Sequence, residues 1–210
     1  NDEFAMGKSF EKIRDRLCRY RRENRIGDDR MSEVLSNIKI HSNINDLVNA
    51  DIVIESVTED IEIKKSVFQK LDSICRQGVV LASNTSSISI TALASATKRP
   101  EYVIGIHFIN PARVMKLVEI ISGIATTRET VETAKELAKK LGKVHAESQD
   151  YPGFLLNRIL VPMINEAIYA LYEGAGSAES IDRVMKQGMN LPMGPLELAD
   201  MIGLDVVLAV

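Results

Sequence analysis

Val79-Val80-Leu81-Ala82-Ser83-Asn84-Thr85-Ser86-Ser87 changes character halfway along, from an apolar run to a cluster of hydroxyl and amide side chains. A short, β-branched-rich run that stops at turn-forming polar residues is the pattern of a strand buried on both faces. Asp51-Ile52-Val53-Ile54-Glu55 and Val103-Ile104-Gly105-Ile106-His107 repeat it, with helical or loop sequence between, so the three read as parallel strands of one sheet. Ligands of such sheets sit outside the carboxyl ends of the strands. Glu55 and Glu59, Ser83 to Ser87, and His107 with Asn110 follow the three apolar runs and are expected to face one crevice.

Working outward, Ile61 to Cys75 places Val67, Phe68, Leu71, Ile74 and Cys75 at helical spacing, with Gly78 beyond to end a crossover helix. Lys116-Leu117-Val118-Glu119-Ile120-Ile121 reads as another strand, and Lys143 to Glu147 as a further one at an edge. Between them, Thr126 and Glu129 have capping-box spacing ahead of the stripe Val131, Ala134, Leu137, Ala138 and Leu141, which stops at Gly142. The pattern changes near Asp150-Tyr151-Pro152-Gly153. From there to Val210 only helical periodicity remains: Phe154 to Tyr172 with Pro162 inside it, a helix capped by Ser177, and one beginning near Pro195. The expected fold class is α/β, an incomplete Rossmann-like parallel sheet followed by an incomplete all-helical domain. The expected boundaries are 1–149 and 150–210.

Composition narrows the function. With 45% hydrophobic and 26% charged residues over 210 positions, the chain has the makeup of an ordinary globular protein with a sizeable core. Apolar stretches are broken by charge well before the length a bilayer span needs, so no membrane partner is expected. A net charge of −3 argues against a general nucleic-acid binder. The first thirty residues are nevertheless basic, with Arg16, Arg19 and Arg22 among the eight cationic residues from Lys8 to Arg25 around the stripe Phe10, Ile13, Leu17 and Tyr20. Such a face is either solvated or a docking site for a phosphate-rich ligand. Cys18 and Cys75 lack CxxC spacing, and no secretory leader precedes them, so reduced thiols in a cytoplasmic or organelle-matrix protein are expected, cytoplasmic first, and no metal site.

Ser86, His107 and Glu119 bring a hydroxyl, an imidazole and a carboxylate to neighbouring strands. A lone histidine at a strand end is usually structural; together with Ser86 and Glu119 it reads as an acid/base. An imidazole can take and return a proton at neutral pH, and a carboxylate on its far nitrogen fixes the tautomer. His41 and His145 have no assignable partner and are given no role. The glycine-rich phosphate turn G-x-G-x-x-G is absent; Gly174-Ala175-Gly176-Ser177-Ala178-Glu179 follows a helix and lacks the third glycine.

Ser83-Asn84-Thr85-Ser86-Ser87, His107-Phe108-Ile109-Asn110-Pro111, Val114 to Glu119, Pro152-Gly153-Phe154 with Asn157-Arg158, and Pro192-Met193-Gly194-Pro195-Leu196-Glu197-Leu198 together resemble the 3-hydroxyacyl-CoA dehydrogenase family. Within it the chain is most similar to the monofunctional bacterial 3-hydroxybutyryl-CoA dehydrogenases. The resemblance implies NAD-linked interconversion of (S)-3-hydroxyacyl-CoA and 3-oxoacyl-CoA, with NADP left open, and a homodimer in the full-length protein. It implies His107 as acid/base, Glu119 as its orienting partner, and Ser86 and Asn157 as the groups on the substrate oxygen. It places Glu59, Lys64, Ser86 and Asn110 near the cofactor and Arg16, Arg19 and Arg22 near coenzyme A. Lys64, on a helix, would ordinarily face solvent, so its cofactor role comes from the resemblance alone. The family's glycine-rich turn would precede Asn1 and its last helices would follow Val210. An internal fragment is therefore expected, one that binds NAD weakly by itself, with a non-catalytic or inactive relative as the alternative.

Overall fold

The computed structural model describes residues 3–209, so Asn1, Asp2 and Val210, at the ends of the two expected domains, lie outside the described residues. Contacts within the chain separate residues 1–49 from residues 50–210 as two compact units.

The first unit consists of α1 (Glu3–Arg22), α2 (Asp28–Asn37) and a 3-10 turn, Ile44–Asn49. Arg21 pairs with Asp28 in the first turn of α2, where a carboxylate is favoured by the helix dipole, and Arg25 lies 4.2 Å over the ring of Tyr20.

The second unit begins with β1 (Ile52–Glu55), α3 (Ile61–Ile74), β2 (Val80–Ser83), the short α4 (Ile90–Ala94) and β3 (Val103–Phe108). It continues with β4 (Leu117–Ser122), α5 (Arg128–Lys140), β5 (Val144–Gln149), α6 (Leu156–Tyr172), α7 (Ala178–Gly188), α8 (Pro195–Ile202) and α9 (Leu204–Ala209). The sheet order is β1-β2-β3-β4-β5, which puts β5 at an edge as expected. β1, β2 and β3 run parallel. β4 reverses and pairs antiparallel with β3, and β5 runs parallel to β4. The reversal follows from chain length: residues 109–116 join β3 to β4, and a parallel crossover needs a dozen or more residues. α5 supplies that length between β4 and β5.

Period-two alternation sends Val80, Ala82, Ile104, Ile106, Val118 and Ile120 to one face, where Ala134 and Ala138 of α5 close over them. α5 is capped one residue later than the spacing suggested. Thr127 accepts from the Thr130 N–H, whereas Thr126 donates to the Val103 carbonyl and accepts from the Gly123 N–H. Thr126 thus fastens the turn to β3, a contact that lies far away in sequence. α2 and α4 carry no pattern that the sequence reveals; each is short, and α4 is capped by Ser89, which accepts from the Ala92 N–H, together with a distant carboxylate, Asp150.

α3 starts at Asp60, whose Oδ1 accepts from the N–H groups of Glu62 and Ile63, and its buried face is Lys64, Phe68 and Leu71. α8 is held by Asp182 of α7, which accepts from the N–H groups of Leu196 and Glu197. A Cβ at Gly194 would lie 2.3 Å from the Asp182 side chain, so this close approach requires glycine.

Candidate active site

The antiparallel pairing of β3 and β4 makes His107 and Glu119 direct cross-strand partners. His107 is 6% exposed, and its Nδ1 lies 2.8 Å from Glu119 Oε2. Glu119 Oε1 accepts from two backbone N–H groups at the start of α6, Leu155 at 3.1 Å and Leu156 at 2.9 Å. Burial pushes the Glu119 carboxyl up, but the bond to His107 and the two backbone donors outweigh it and hold the group below the usual glutamate value. An ionised Glu119 accepts only, so Nδ1 carries the hydrogen between them and Nε2 is left as the basic nitrogen. The start of α6 is shaped for this contact: Gly153 has φ +75°, and a Cβ there would lie 2.9 Å from the Arg158 nitrogen. Phe154, buried beside it, sets its ring 5.9 Å from that of His107.

On the opposite side of the imidazole, Ser86 Oγ lies 3.2 Å from Nε2. Ser86 sits in the turn after β2, which is tied down at several points. The Thr85 hydroxyl accepts from the Ser87 and Ile88 N–H groups. Glu59 Oε1 accepts from the Thr85 hydroxyl, the Ser86 N–H at 2.9 Å, and the N–H and hydroxyl of Ser87. Burial raises the Glu59 carboxyl, and these donors together with Lys64 lower it by more, so it stays ionised. Asn84 Oδ1 accepts from the Phe108 N–H at 2.8 Å and thereby holds the end of β3, one residue past the histidine. Asn157 Nδ2 donates to the Ser86 carbonyl at 3.3 Å.

Ser86, His107, Asn110 and Asn157 line one cavity of about 470 Å³, whose remaining wall is apolar and includes Ile109, Leu160 and Ile164. The structure therefore gathers Ser86, His107, Asn157 and Asn110 around one space, with Glu119 buried behind the imidazole. Lys64 departs from its sequence expectation: it is 1% exposed and bonded to Glu55, not turned to solvent. Glu55, expected from sequence to be structural or to stand behind the site, is 4% exposed and accepts from the Ser83 hydroxyl as well. Both were legible in principle. Lys64 precedes Phe68 and Leu71 by four and seven residues, on one helical face, and Glu55 follows Val53 by two, on one strand face. Arg16, Arg19 and Arg22 are exposed on α1 in the first unit. His41 has a partner after all, Asp46 at 2.9 Å, and His145 is exposed. Among the described residues no cluster of three or more His, Cys, Asp or Glu side chains is arranged to hold a metal, and no helix is long and apolar enough to cross a membrane.

Asp150 joins the turn to the helical segment. It accepts from the Ser89 hydroxyl at 2.7 Å and from the N–H groups of Ile90 and Thr91, so it caps α4 from sixty residues away. Sequence reading saw Asp150 only as the place where the strand pattern stops.

Residues 1–151 match the family model described as 3-hydroxyacyl-CoA dehydrogenase, NAD binding domain, and residues 153–210 match the 3-hydroxyacyl-CoA dehydrogenase, C-terminal domain. A probable 3-hydroxybutyryl-CoA dehydrogenase of Bacillus subtilis is 48% identical over 201 residues, which cover 96% of this chain and 70% of the relative. A 3-hydroxybutyryl-CoA dehydrogenase of Clostridioides difficile is 52% identical over 179 residues, covering 85% of this chain and 64% of the relative. The crystal structure of (S)-3-hydroxybutyryl-CoA dehydrogenase from Ralstonia eutropha superposes with a TM-score of 0.95 at 44% identity, covering 99% of this chain and 74% of that one. The chain spans about two thirds of the length of the two curated relatives. On this evidence, the chain belongs to the 3-hydroxyacyl-CoA dehydrogenase family.

Proposed function

We propose that this chain carries the catalytic machinery of an NAD-dependent oxidoreductase that interconverts (S)-3-hydroxyacyl-CoA and 3-oxoacyl-CoA, with 3-hydroxybutyryl-CoA as the substrate. The observation that carries the reading is His107, bonded on one nitrogen to an ionised Glu119 and presenting the other, with Ser86 Oγ beside it, at the wall of a mostly apolar cavity. In the oxidising direction His107 Nε2 takes the hydroxyl proton as the carbonyl forms, and Glu119 stabilises the resulting imidazolium; in the reducing direction the proton returns. Ser86 and Asn157 donate to the substrate oxygen as its charge changes, a contribution prepared in advance by the fixed turn that holds Ser86. The nicotinamide, when bound, accepts or supplies the hydride at the carbinol carbon.

The donor set suits that cofactor. Beside His107 the polar groups are neutral, the Ser86 hydroxyl and the Asn110 and Asn157 amides, set among aliphatic side chains that fit a flat nicotinamide ring and an acyl chain. Ser86 and Asn110 serve on the cofactor side with Glu59 behind them, and the part of Lys64 is argued below. Arg16, Arg19 and Arg22, exposed on α1, are proposed to meet the phosphates of coenzyme A. Their replacement by glutamine raises KM for acyl-CoA more than for an acyl-pantetheine. The division of labour between a dinucleotide-binding part and a helical part is placed at residue 150, where β5 ends and only helices follow. Exposed apolar side chains on the helical part, among them Ile159, Tyr172, Met189 and Met201, support a homodimer in the full-length protein. A reducing, cytoplasmic setting agrees with Cys18 and Cys75 forming no disulfide.

The test is absorbance at the nicotinamide band with NADH and acetoacetyl-CoA. Oxidation by the full-length protein that is lost in a folded His107→Gln variant supports the reading. A folded full-length protein that leaves NADH unconsumed ends it and makes the protein a non-catalytic relative.

A further inference from the structure

Lys64 lies among the most enclosed side chains of the protein, 1% exposed on the inner face of α3. A lysine tolerates such burial only when its charge and its three donors are met. Its Nζ donates to Glu55 Oε1 at 2.7 Å and to the Val57 carbonyl at 3.2 Å, and pairs with the Glu59 carboxylate, Oε2 at 3.4 Å. Glu55, with a side chain 1% exposed, uses its remaining capacity within the fold: Oε1 accepts from the Val57 N–H and Oε2 from the Ser83 hydroxyl at 2.7 Å. The end of β1, the turn after it, α3 and the end of β2 are thus joined at one buried ion pair.

Glu59 is the way out of this cluster toward the chemistry. One of its oxygens faces Lys64, and the other takes the Thr85 hydroxyl, the Ser86 and Ser87 N–H groups and the Ser87 hydroxyl. The Ser86 hydroxyl in turn lies 3.2 Å from His107 Nε2. Resting on the function proposed above, we infer that Lys64 and Glu55 are positioning residues for Ser86: their buried pair fixes the turn that carries Glu59, and Glu59 aims the Ser86 hydroxyl at His107. Lys64 acts through Glu59. Displacing a reacting group by about 1 Å costs on the order of 10²-fold in rate, so a device that fixes one turn against another has a kinetic consequence.

The experiment is Lys64→Met in the full chain, read first without cofactor or substrate by the ¹⁵N chemical shifts of the His107 ring at alkaline pH. The variant shifts the Nε2 signal in the same direction as Ser86→Ala, and the double variant moves it no further, because both remove one hydrogen bond. In turnover, kcat falls by about 10²-fold. An unmoved ring signal overturns the inference. If Lys64→Met does not fold, Glu59→Gln carries the same ring test with the same two outcomes, since the Glu59 side chain is 41% exposed and its loss leaves no deeply buried charge. A wild-type chain that fails to oxidise NADH ends the proposed function and leaves the ring test readable; a failed ring test in an active enzyme ends this inference alone.

Discussion

Replacing Glu119 with glutamine separates the charge of this side chain from its structural grip. The glutamine carbonyl can still accept from the Leu155 and Leu156 N–H groups, so the start of α6 stays anchored. Its NH₂ then faces His107 Nδ1, where the wild-type carboxylate accepts at 2.8 Å. Two losses follow. A charge-assisted hydrogen bond to the imidazolium is worth roughly 1.5–3 kcal/mol, which corresponds to about 10- to 150-fold in the step that forms that ion. The amide donor also favours the tautomer with hydrogen on Nε2, which cannot accept the substrate proton, and this carries the total toward 10³-fold or beyond. The assay is steady-state NAD reduction with (S)-3-hydroxybutyryl-CoA, alongside urea unfolding of the same variant. Glu119→Ala is the companion: it strands two backbone donors and is less stable than the glutamine variant by about 2 kcal/mol. A glutamine variant with kcat within threefold of wild type refutes the assignment of Glu119. Equal stability of the two variants refutes its anchoring of α6.

Ser86→Ala lowers kcat by about 10²-fold with little change in unfolding midpoint, because it removes one donor to the changing substrate oxygen; a fall of less than fivefold in stopped-flow hydride transfer contradicts that role. Asp150→Ala removes the acceptor of the Ile90 and Thr91 N–H groups, leaving Ser89 to cap Ala92, and costs about 1–2 kcal/mol at neutral pH by denaturant unfolding. Burial raises the Asp150 carboxyl, but the donors from Thr91, Ser89 and Ile90 lower it further, so its folded value lies below the unfolded one. Its contribution is complete above an unfolded pKa of about 3.9 and disappears as pH falls through the folded value. The gap between wild type and Asp150→Ala should therefore narrow in acid, and a constant gap from neutral pH down to the acid transition argues against the cap. Gly194→Ala drives a methyl into Asp182 and loosens α8, costing about 2 kcal/mol in thermal unfolding; a loss under about 0.5 kcal/mol shows that the helix pair adjusts freely.

The strands were legible because each depends on its own residues. Apolar runs at 51–55, 79–83 and 103–107 became β1, β2 and β3 with shifts of a residue at their ends, and the stripes of α3 and α5 marked their buried faces. His107 and Glu119 could be named as candidates from type and place, but their contact depended on β4 turning back along β3, which makes the two residues neighbours across the strands. Thr126 shows why local spacing misleads: it satisfied the capping pattern, and a bond to Val103 drew it into the sheet turn and left the cap to Thr127. The burial of Lys64 escapes the sequence for a related reason. Lysine on a helix is usually solvated, and only the carboxylates of Glu55 and Glu59, brought in from the preceding strand and turn, make its burial tolerable.

What the amino-acid order determined by itself was the set of elements, which face of each is apolar, and which strand ends are polar, since these follow from periodicities of two and 3.6 residues acting over a few neighbours. What only the tertiary structure decided was the wiring between those ends: His107 to Glu119, Glu119 to the start of α6, Glu59 to the Ser86 turn, and Asp150 to α4. Hydrogen bonds and ion pairs act over about 3 Å and carry no periodic signature. Their partners are set by where strands and helices come to rest, and no local pattern encodes that.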